Sequence, residues 1–220
     1  MSRLRALAGR AYAALAFERA AVIYELLTDH EAWRRDCRDM ARLVGGPRVL
    51  DLGVGPGTSA LEMARADPAR RHVGLDVSAA MLRRAARHAR AARVALPLVR
   101  ADVLALPVRS AAFDAVTGHS FLYLLDDAPG ALAEVRRALR PGGRVAFLEP
   151  RAGGAGLREA LRDGPRHLLA MALWRSMSRL HRRYDEATLP ALLERAGFVE
   201  ARAWPVLGGQ GVMAIAVRPE

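Results

Sequence analysis

The sequence predicts an α/β fold: a seven-stranded sheet, mostly parallel, with helices on both faces and an antiparallel strand closing one edge. Three observations carry this expectation. Val49-Leu50-Asp51-Leu52 is an apolar run broken by one acid, and it leads into Gly53-Val54-Gly55-Pro56-Gly57-Thr58. Alternate glycines after such a run read as a buried strand turning through a tight loop into a helix. Short apolar runs and helix-length stretches then alternate as far as Glu149, which implies parallel strands joined by right-handed crossovers. The final runs, Phe198 to Val206 and Gly211 to Val217, read as an antiparallel closing pair.

Taken in order, Arg3 to about Thr28 is alanine-rich with apolar residues at helical spacing, and His30 to Val44 reads as a further helix ended by Gly45-Gly46-Pro47. Strands are expected near 48–53, 72–76, 96–101, 113–118 and 143–149, with helices near 58–66, 79–92 and 127–139. Ser78 is placed to cap the helix beginning near Ala79. From Gly153 the pattern breaks into glycines, then a helical region over about 157–182 and a helix over 186–196. No internal repeat and no linker of dividing length is present. The expectation is one domain over 1–220: a helical N-terminal cover (1–46), a ligand-binding core (47–150), a helical lid insertion (151–197) and the closing strands (198–220).

A glycine-rich loop after a first strand is where an α/β sheet receives a nucleotide-like ligand. Dinucleotide-binding loops share that position, but their spacing is G-x-G-x-x-G. Here it is G-x-G-x-G, with Asp51 two positions before Gly53. The loop resembles motif I of the class I S-adenosylmethionine-dependent methyltransferases. That resemblance implies that Gly53, Gly55, Gly57 and Thr58 face the methionine part of the cofactor, where Asp51 is tolerable. A pyrophosphate would be repelled by the acid. Asp51 is then expected to organise the loop and the cofactor's amino group.

Arg71-His72-Val73-Gly74-Leu75-Asp76-Val77-Ser78 resembles the family's second strand end, with Asp76 accepting both ribose hydroxyls and Val77 and Met81 beside the cofactor. NAD enzymes use the same acidic device, so Asp76 alone does not discriminate. Arg100-Ala101-Asp102-Val103 resembles the third strand end, where Asp102 would receive the adenine amino group and the backbone N–H of Val103 a ring nitrogen. Phe113 to His119 resembles the fourth strand, and Leu139-Arg140-Pro141-Gly142-Gly143 followed by Arg144 to Glu149 the turn and fifth strand. The resemblance covers residues 47 to 150. It implies a Rossmann-like fold, S-adenosyl-L-methionine as cofactor and S-adenosyl-L-homocysteine as product.

Composition narrows the setting. The chain has a net charge of +11, and all 34 of its basic residues are arginine. Arg83 to Arg93 places arginines and alanines at helical spacing, as on a solvated helix face. Aromatic residues make up only 5%, too few for interleaved base stacking. Gly118-His119-Ser120-Phe121 stands where base-amine methyltransferases carry an Asp/Asn-Pro-Pro-Tyr-like motif, so no nucleic-acid partner is expected. One cysteine, Cys37, excludes an internal disulfide framework and a thiolate metal cluster, and it reads as a buried hydrophobe. No metal site is expected. Neither a secretory signal nor a membrane-spanning run is present, which points to a cytoplasmic protein, monomer or homodimer.

The acceptor side is expected above the sheet. Tyr12, Phe17, Tyr24 and Trp33 come from the N-terminal helices; His167, Met171, Trp174, Met177, His181 and Tyr184 from the insertion. The run Leu168 to Trp174 is apolar with arginines on both sides, which suits an amphiphilic acceptor or peripheral contact with a membrane surface. Packing of the lid on the core accounts for the same residues. Methyl transfer is an in-line displacement that needs positioning above all, with a base only where the acceptor must lose a proton. His119, at the end of the fourth strand, is the candidate base and a cofactor neighbour. Tyr24, Tyr123 and Glu149 are further pocket candidates with Trp174, His181 and Tyr184. The broad arrangement is similar to the ubiquinone/menaquinone-type methyltransferase group, which implies a small, apolar or amphiphilic acceptor. Two other readings stand beside this one: a non-catalytic nucleotide- or partner-binding domain of the same fold, and a nicotinamide-dependent oxidoreductase.

Overall fold

The computed structural model describes residues 31–153, 164–178 and 181–220, with Arg166 and Met177 as backbone only. In chain order these form α1 (Glu31–Leu43), β1 (Arg48–Leu52), α2 (Thr58–Ala66), β2 (Arg71–Asp76), α3 (Ala79–Ala92), β3 (Leu98–Arg100), β4 (Phe113–His119), α4 (Ala128–Ala138), β5 (Leu139–Pro150), α5 (Pro165–Ser178), α6 (Thr188–Arg195), β6 (Val199–Val206) and β7 (Gly211–Val217). Short 3₁₀ turns follow β3 at Val103–Ala105 and β4 at Leu122–Leu124.

The sheet order is β3-β2-β1-β4-β5-β7-β6. Neighbours from β3 to β5 are parallel, and β7 runs antiparallel to both β5 and β6. This is the Rossmann-like methyltransferase arrangement expected from the sequence. The order reverses between β1 and β4, so the carboxyl ends of those strands flank a crevice.

Alternate residues of the central strands feed two cores. On one face Val49, Ala115, Ala146 and Leu148 pack with Trp33, Cys37 and Met40 of α1, Met63 of α2, and Met171 and Trp174 of α5. On the other, Leu50, Leu52, Val116 and Phe147 pack with Leu132 and Val135 of α4 and Leu189 and Leu193 of α6. Val54, Leu61, Ala89 and Leu96 form a smaller cluster that seats α3 against the glycine loop. Ala85 and Ala89 of α3 face inward while Arg83, Arg87 and Arg90 face water, so the densest arginine run is a solvated helix face. Among the described residues no helix is long and apolar enough to cross a membrane.

Two boundaries differ from expectation. β5 begins at Leu139, four residues earlier than the apolar run, because Phe113 pairs with Leu139 across a register shift. The Pro141-Gly142-Gly143 kink is carried inside the strand, and the Gly142 N–H donates to the Arg218 carbonyl at 3.0 Å. The helical region expected over 157–182 is α5 over Pro165–Ser178 within the described residues.

Candidate active site

The loop after β1 has φ of +59° at Gly53, +52° at Gly55 and +85° at Gly57, the left-handed region that side chains other than glycine rarely adopt. At Gly53 space is also limiting: a Cβ would lie 2.7 Å from Phe121 Cδ2. At Gly55 a Cβ would meet nothing nearer than the Gly53 carbonyl oxygen, 3.8 Å away. The loop is closed on its core side and open on the other, a cradle of backbone. His88 Nδ1, from α3, lies 2.9 Å from the Pro56 carbonyl oxygen and holds the loop from beneath. Thr58, half-buried, opens α2.

Asp76 ends β2 with its carboxylate turned toward this cradle. Oδ2 accepts from the Gly55 N–H at 2.9 Å, and Oδ1 from the Ser78 N–H at 2.8 Å. Burial pushes its pKa up, against those hydrogen bonds. Each oxygen keeps acceptor capacity for a diol. Beyond it Val77 is 66% exposed, an apolar side chain in the open beside the strand end. Ser78 Oγ caps α3 by accepting from the Met81 N–H at 3.3 Å, and the Met81 side chain is buried. Asp102 is exposed and caps the 3₁₀ turn, its Oδ1 accepting from the Leu104 N–H at 3.0 Å. The Val103 side chain belongs to the core, which leaves its main chain to meet a ligand.

Asp51 is buried within β1. Its Oδ1 accepts from Thr117 Oγ1 at 2.9 Å and its Oδ2 from Ser59 Oγ at 3.2 Å. Burial dominates these bonds and raises its pKa to about 6, with Asp76 adding to the rise. The acid ties β1, β4 and the first turn of α2 together under the loop. Thr117 and Ser59 did not stand out in the sequence, since β4 also carries Asp114 and His119 and its threonine is not a lone polar residue.

His119 closes β4, half-buried, with its ring 4.9 Å from that of Trp33 in an edge-on contact at 67°. Nδ1 lies 3.0 Å from Ser120 Oγ. Nε2 is shut off from solvent with no hydrogen-bond partner among the described residues. Burial lowers the imidazole pKa to about 4, so the ring is neutral near pH 7. Ser120 follows at φ +54°, a sharp turn of the chain directly after the histidine.

Glu149, fully buried near the end of β5, holds the segment after β4. Oε1 accepts from the N–H groups of Phe121 and Leu122 at 3.1 and 2.8 Å, and Oε2 from that of Tyr123 at 3.2 Å. Burial outweighs these three donors and raises its pKa to about 7. Its carboxyl is therefore turned to the chain's own backbone. Tyr123 is buried, with its ring 5.6 Å from that of exposed His181. Tyr184 is buried near Glu149; burial first, and the Glu149 charge second, push its phenol up to about 12. His119, Tyr123, Glu149, His181 and Tyr184 thus gather around the ends of β4 and β5. Trp174 is placed differently, inside the core with Cys37, Met40 and Met171, because α5 packs that side of its helix on the sheet. His167 is likewise buried. Tyr12, Phe17 and Tyr24 and the Met177 side chain lie outside the described residues. Among the described residues no group of His, Cys, Asp or Glu could hold a metal ion.

A separate cleft of about 890 Å³ lies between α1 and the β6–β7 hairpin, lined by Arg35, Arg42, Leu43, Arg151, Trp204 and Val206 among others. None of the cofactor-site residues named above lines it.

Comparison with known proteins agrees with this geometry. Residues 49–143 match a family model described as a methyltransferase domain. The chain is 40% identical over 117 residues to the demethylmenaquinone methyltransferase of Thermus thermophilus, a stretch that spans 53% of this chain and 53% of that one. It is 33% identical over 221 aligned positions to the 2-phytyl-1,4-naphtoquinone methyltransferase of Thermosynechococcus vestitus, covering 91% of this chain and 96% of the relative. Among solved structures, the complex between the Haloferax volcanii Trm112 methyltransferase activator and a methyltransferase matches with a TM-score of 0.70 at 19% identity, over 93% of this chain and 96% of the other. With the glycine cradle, the strand-end acids and a relative matched nearly end to end, the chain belongs to the S-adenosylmethionine-dependent methyltransferases of the ubiquinone/menaquinone type.

Proposed function

We propose that this protein transfers a methyl group from S-adenosyl-L-methionine to a ring carbon of a small quinone-type acceptor in its reduced form, as a cytoplasmic enzyme. The observation that carries the reading is the pairing of Asp76 with the Gly55 N–H. It sets a diol-binding acid beside a backbone cradle whose open side would accept the methionine part of the cofactor. The residues fit the group. Gly53, Gly55 and Gly57 line the methionine end, Asp76 takes the ribose, and Val77 with Asp102 and the Val103 main chain borders the adenine. Relatives named for demethylmenaquinone and for a phytyl naphthoquinone support the acceptor class.

When bound, S-adenosylmethionine supplies an electrophilic methyl carbon on a sulfonium leaving group. The chain's work is alignment, exclusion of water and handling of one proton. Neutral His119, with Nδ1 beside Ser120 Oγ, has a buried Nε2 without a hydrogen-bond partner among the described residues, which would pair with a hydroxyl of an acceptor that displaced the groups covering it. A hydrogen bond there draws electron density toward the ring carbon that attacks. Attack of that ring carbon on the methyl would break the carbon–sulfur bond, leave S-adenosyl-L-homocysteine as product and require the ring carbon to lose one proton to regain aromaticity. With burial holding its pKa near 4, His119 stays neutral at pH 7 and orients the hydroxyl through a hydrogen bond, while the ring proton is lost to solvent. Trp33 fixes the ring's orientation, and Glu149 keeps the Phe121–Tyr123 segment in place.

The test is calorimetric titration with S-adenosylmethionine, S-adenosylhomocysteine and NAD, followed by labelled-methyl transfer to a reduced naphthoquinone. Saturable binding of the two sulfur ligands, absent with NAD and weakened at least about tenfold in Asp76→Ala, is expected. His119→Ala is expected to keep cofactor binding and lose turnover. Undiminished affinity in Asp76→Ala, or tight binding of NAD alone, would overturn the reading.

A further inference from the structure

The chain takes a strained step directly after its candidate catalytic histidine. Ser120 has φ +54°, in the left-handed region that glycine and asparagine enter most readily. Its main chain is tied to the neighbouring strand, because the Ser120 N–H donates to the Leu148 carbonyl at 2.7 Å. The turn brings the serine hydroxyl back to the preceding side chain, with Oγ 3.0 Å from Nδ1 of His119. A serine held in this backbone conformation calls for a reason in its side chain, and the contact with the imidazole supplies one.

The two nitrogens of that ring are unequally placed. Burial keeps the imidazole neutral near pH 7, so it carries a single N–H. Nδ1 faces the serine hydroxyl, which can accept through its oxygen and turn its own hydrogen elsewhere. Nε2 is buried with no hydrogen-bond partner among the described residues. A hydrogen on Nδ1 therefore has an acceptor, whereas a hydrogen on Nε2 would be a buried donor with none. Of the two defects, an orphaned buried N–H is the rarer in folded proteins. The Trp33 ring, edge-on at 4.9 Å, opposes the flip that would exchange the two nitrogens.

We propose that Ser120 is a positioning residue that holds His119 as the Nδ1–H tautomer, leaving Nε2 a bare acceptor that selects a hydroxyl over a carbonyl on the methyl acceptor. A hydroxyl supplies such a nitrogen with a hydrogen, whereas a carbonyl oxygen sets lone pair against lone pair. A quinol and a quinone of one skeleton differ at this point, so the site tells them apart through a single hydrogen. The selection rests on the quinol reading; the tautomer is present with no acceptor bound.

The test begins with nitrogen NMR of the full chain carrying isotope-labelled histidine, the His119 signals being assigned by their loss in His119→Gln. The wild type is expected to show a protonated Nδ1 and a bare Nε2. Ser120→Gly removes the hydroxyl and relaxes the positive φ, so it keeps the fold, and its ring is expected to move toward the Nε2–H form. Binding is then measured under anaerobic conditions with S-adenosylhomocysteine present, so that no methyl is transferred. The wild type is expected to bind a naphthoquinol about tenfold more tightly than the matching naphthoquinone, and Ser120→Gly to lose most of that ratio. A wild-type ring with its hydrogen on Nε2, or one tautomer shared by wild type and Ser120→Gly, would overturn the proposal. Equal wild-type affinity for quinol and quinone, or an undiminished ratio in Ser120→Gly, would overturn it as well. The expected tautomers with no binding of either ring would overturn the acceptor assignment alone and leave the hold of Ser120 on His119 standing.

Discussion

Replacing Glu149 by glutamine isolates the energetic weight of one buried acid. In the native chain its carboxylate accepts three backbone N–H groups, two on Oε1 and one on Oε2, yet burial still raises its pKa from 4.5 to about 7. A folded-state pKa above the unfolded value means that the folded chain holds the proton more tightly. The associated stability is fully present below about pH 4.5 and is lost as pH rises through about 7. The full difference amounts to about 3 kcal/mol, most of it spread between about pH 5 and about pH 8. Glutamine keeps an oxygen for Phe121 and Leu122, does not titrate, and turns an N–H₂ toward the Tyr123 N–H. At low pH Glu149→Gln should therefore be less stable than the wild type by about 1–2 kcal/mol. The gap should close and then reverse as pH rises, moving by about 2–3 kcal/mol in favour of the variant. Urea unfolding of both proteins across this range reads the effect directly. Asp51, raised to about 6 by burial, titrates in both chains and cancels from the difference. A gap that stays constant across the range would refute the claim that Glu149 is an ionisable group held in a dry site.

Gly53→Ala and Gly55→Ala should separate steric support from ligand contact. The first combines a positive φ with a 2.7 Å approach to Phe121 and should cost about 3 kcal/mol of stability, whereas the second meets open space and should cost about 1 kcal/mol. Calorimetry should find that Gly55→Ala nevertheless loses S-adenosylmethionine affinity; wild-type affinity there would remove Gly55 from the cradle. Cys37 is fully buried, and burial together with Asp51, Asp36 and Glu62 raises its pKa well above that of a free thiol. A thiol reagent should label it only as fast as the protein opens, so labelling at the rate of a free cysteine would contradict its placement in the core.

Much of the candidate site was legible because its information is local. The run from Val49 to Thr58 specifies a strand, a left-handed turn and a helix within ten residues, and Asp76-Val77-Ser78 specifies a strand end and a helix cap within three. Each depends on backbone preferences that neighbours in sequence already determine. The partners of those residues were not legible. Asp51 meets Thr117 across 66 positions, and Glu149 meets the Phe121–Tyr123 amides across fewer than 30. A polar side chain in a buried strand leaves no periodic trace, and its partner is whichever group lies beside it once the strands have paired.

By itself, then, the chain's sequence determined the alternation of strands and helices, the glycine loop, the acids at the strand ends and the closing hairpin. The tertiary structure alone decided that β4 lies beside β1, bringing Thr117 to Asp51, and that α1 crosses near the end of β4, setting Trp33 against His119. It also decided that one side of α5 buries Trp174 while the other leaves Leu169 in the open. Local torsional preference acts between residues a few positions apart, whereas burial and hydrogen-bond satisfaction act between surfaces that meet only when the chain has folded.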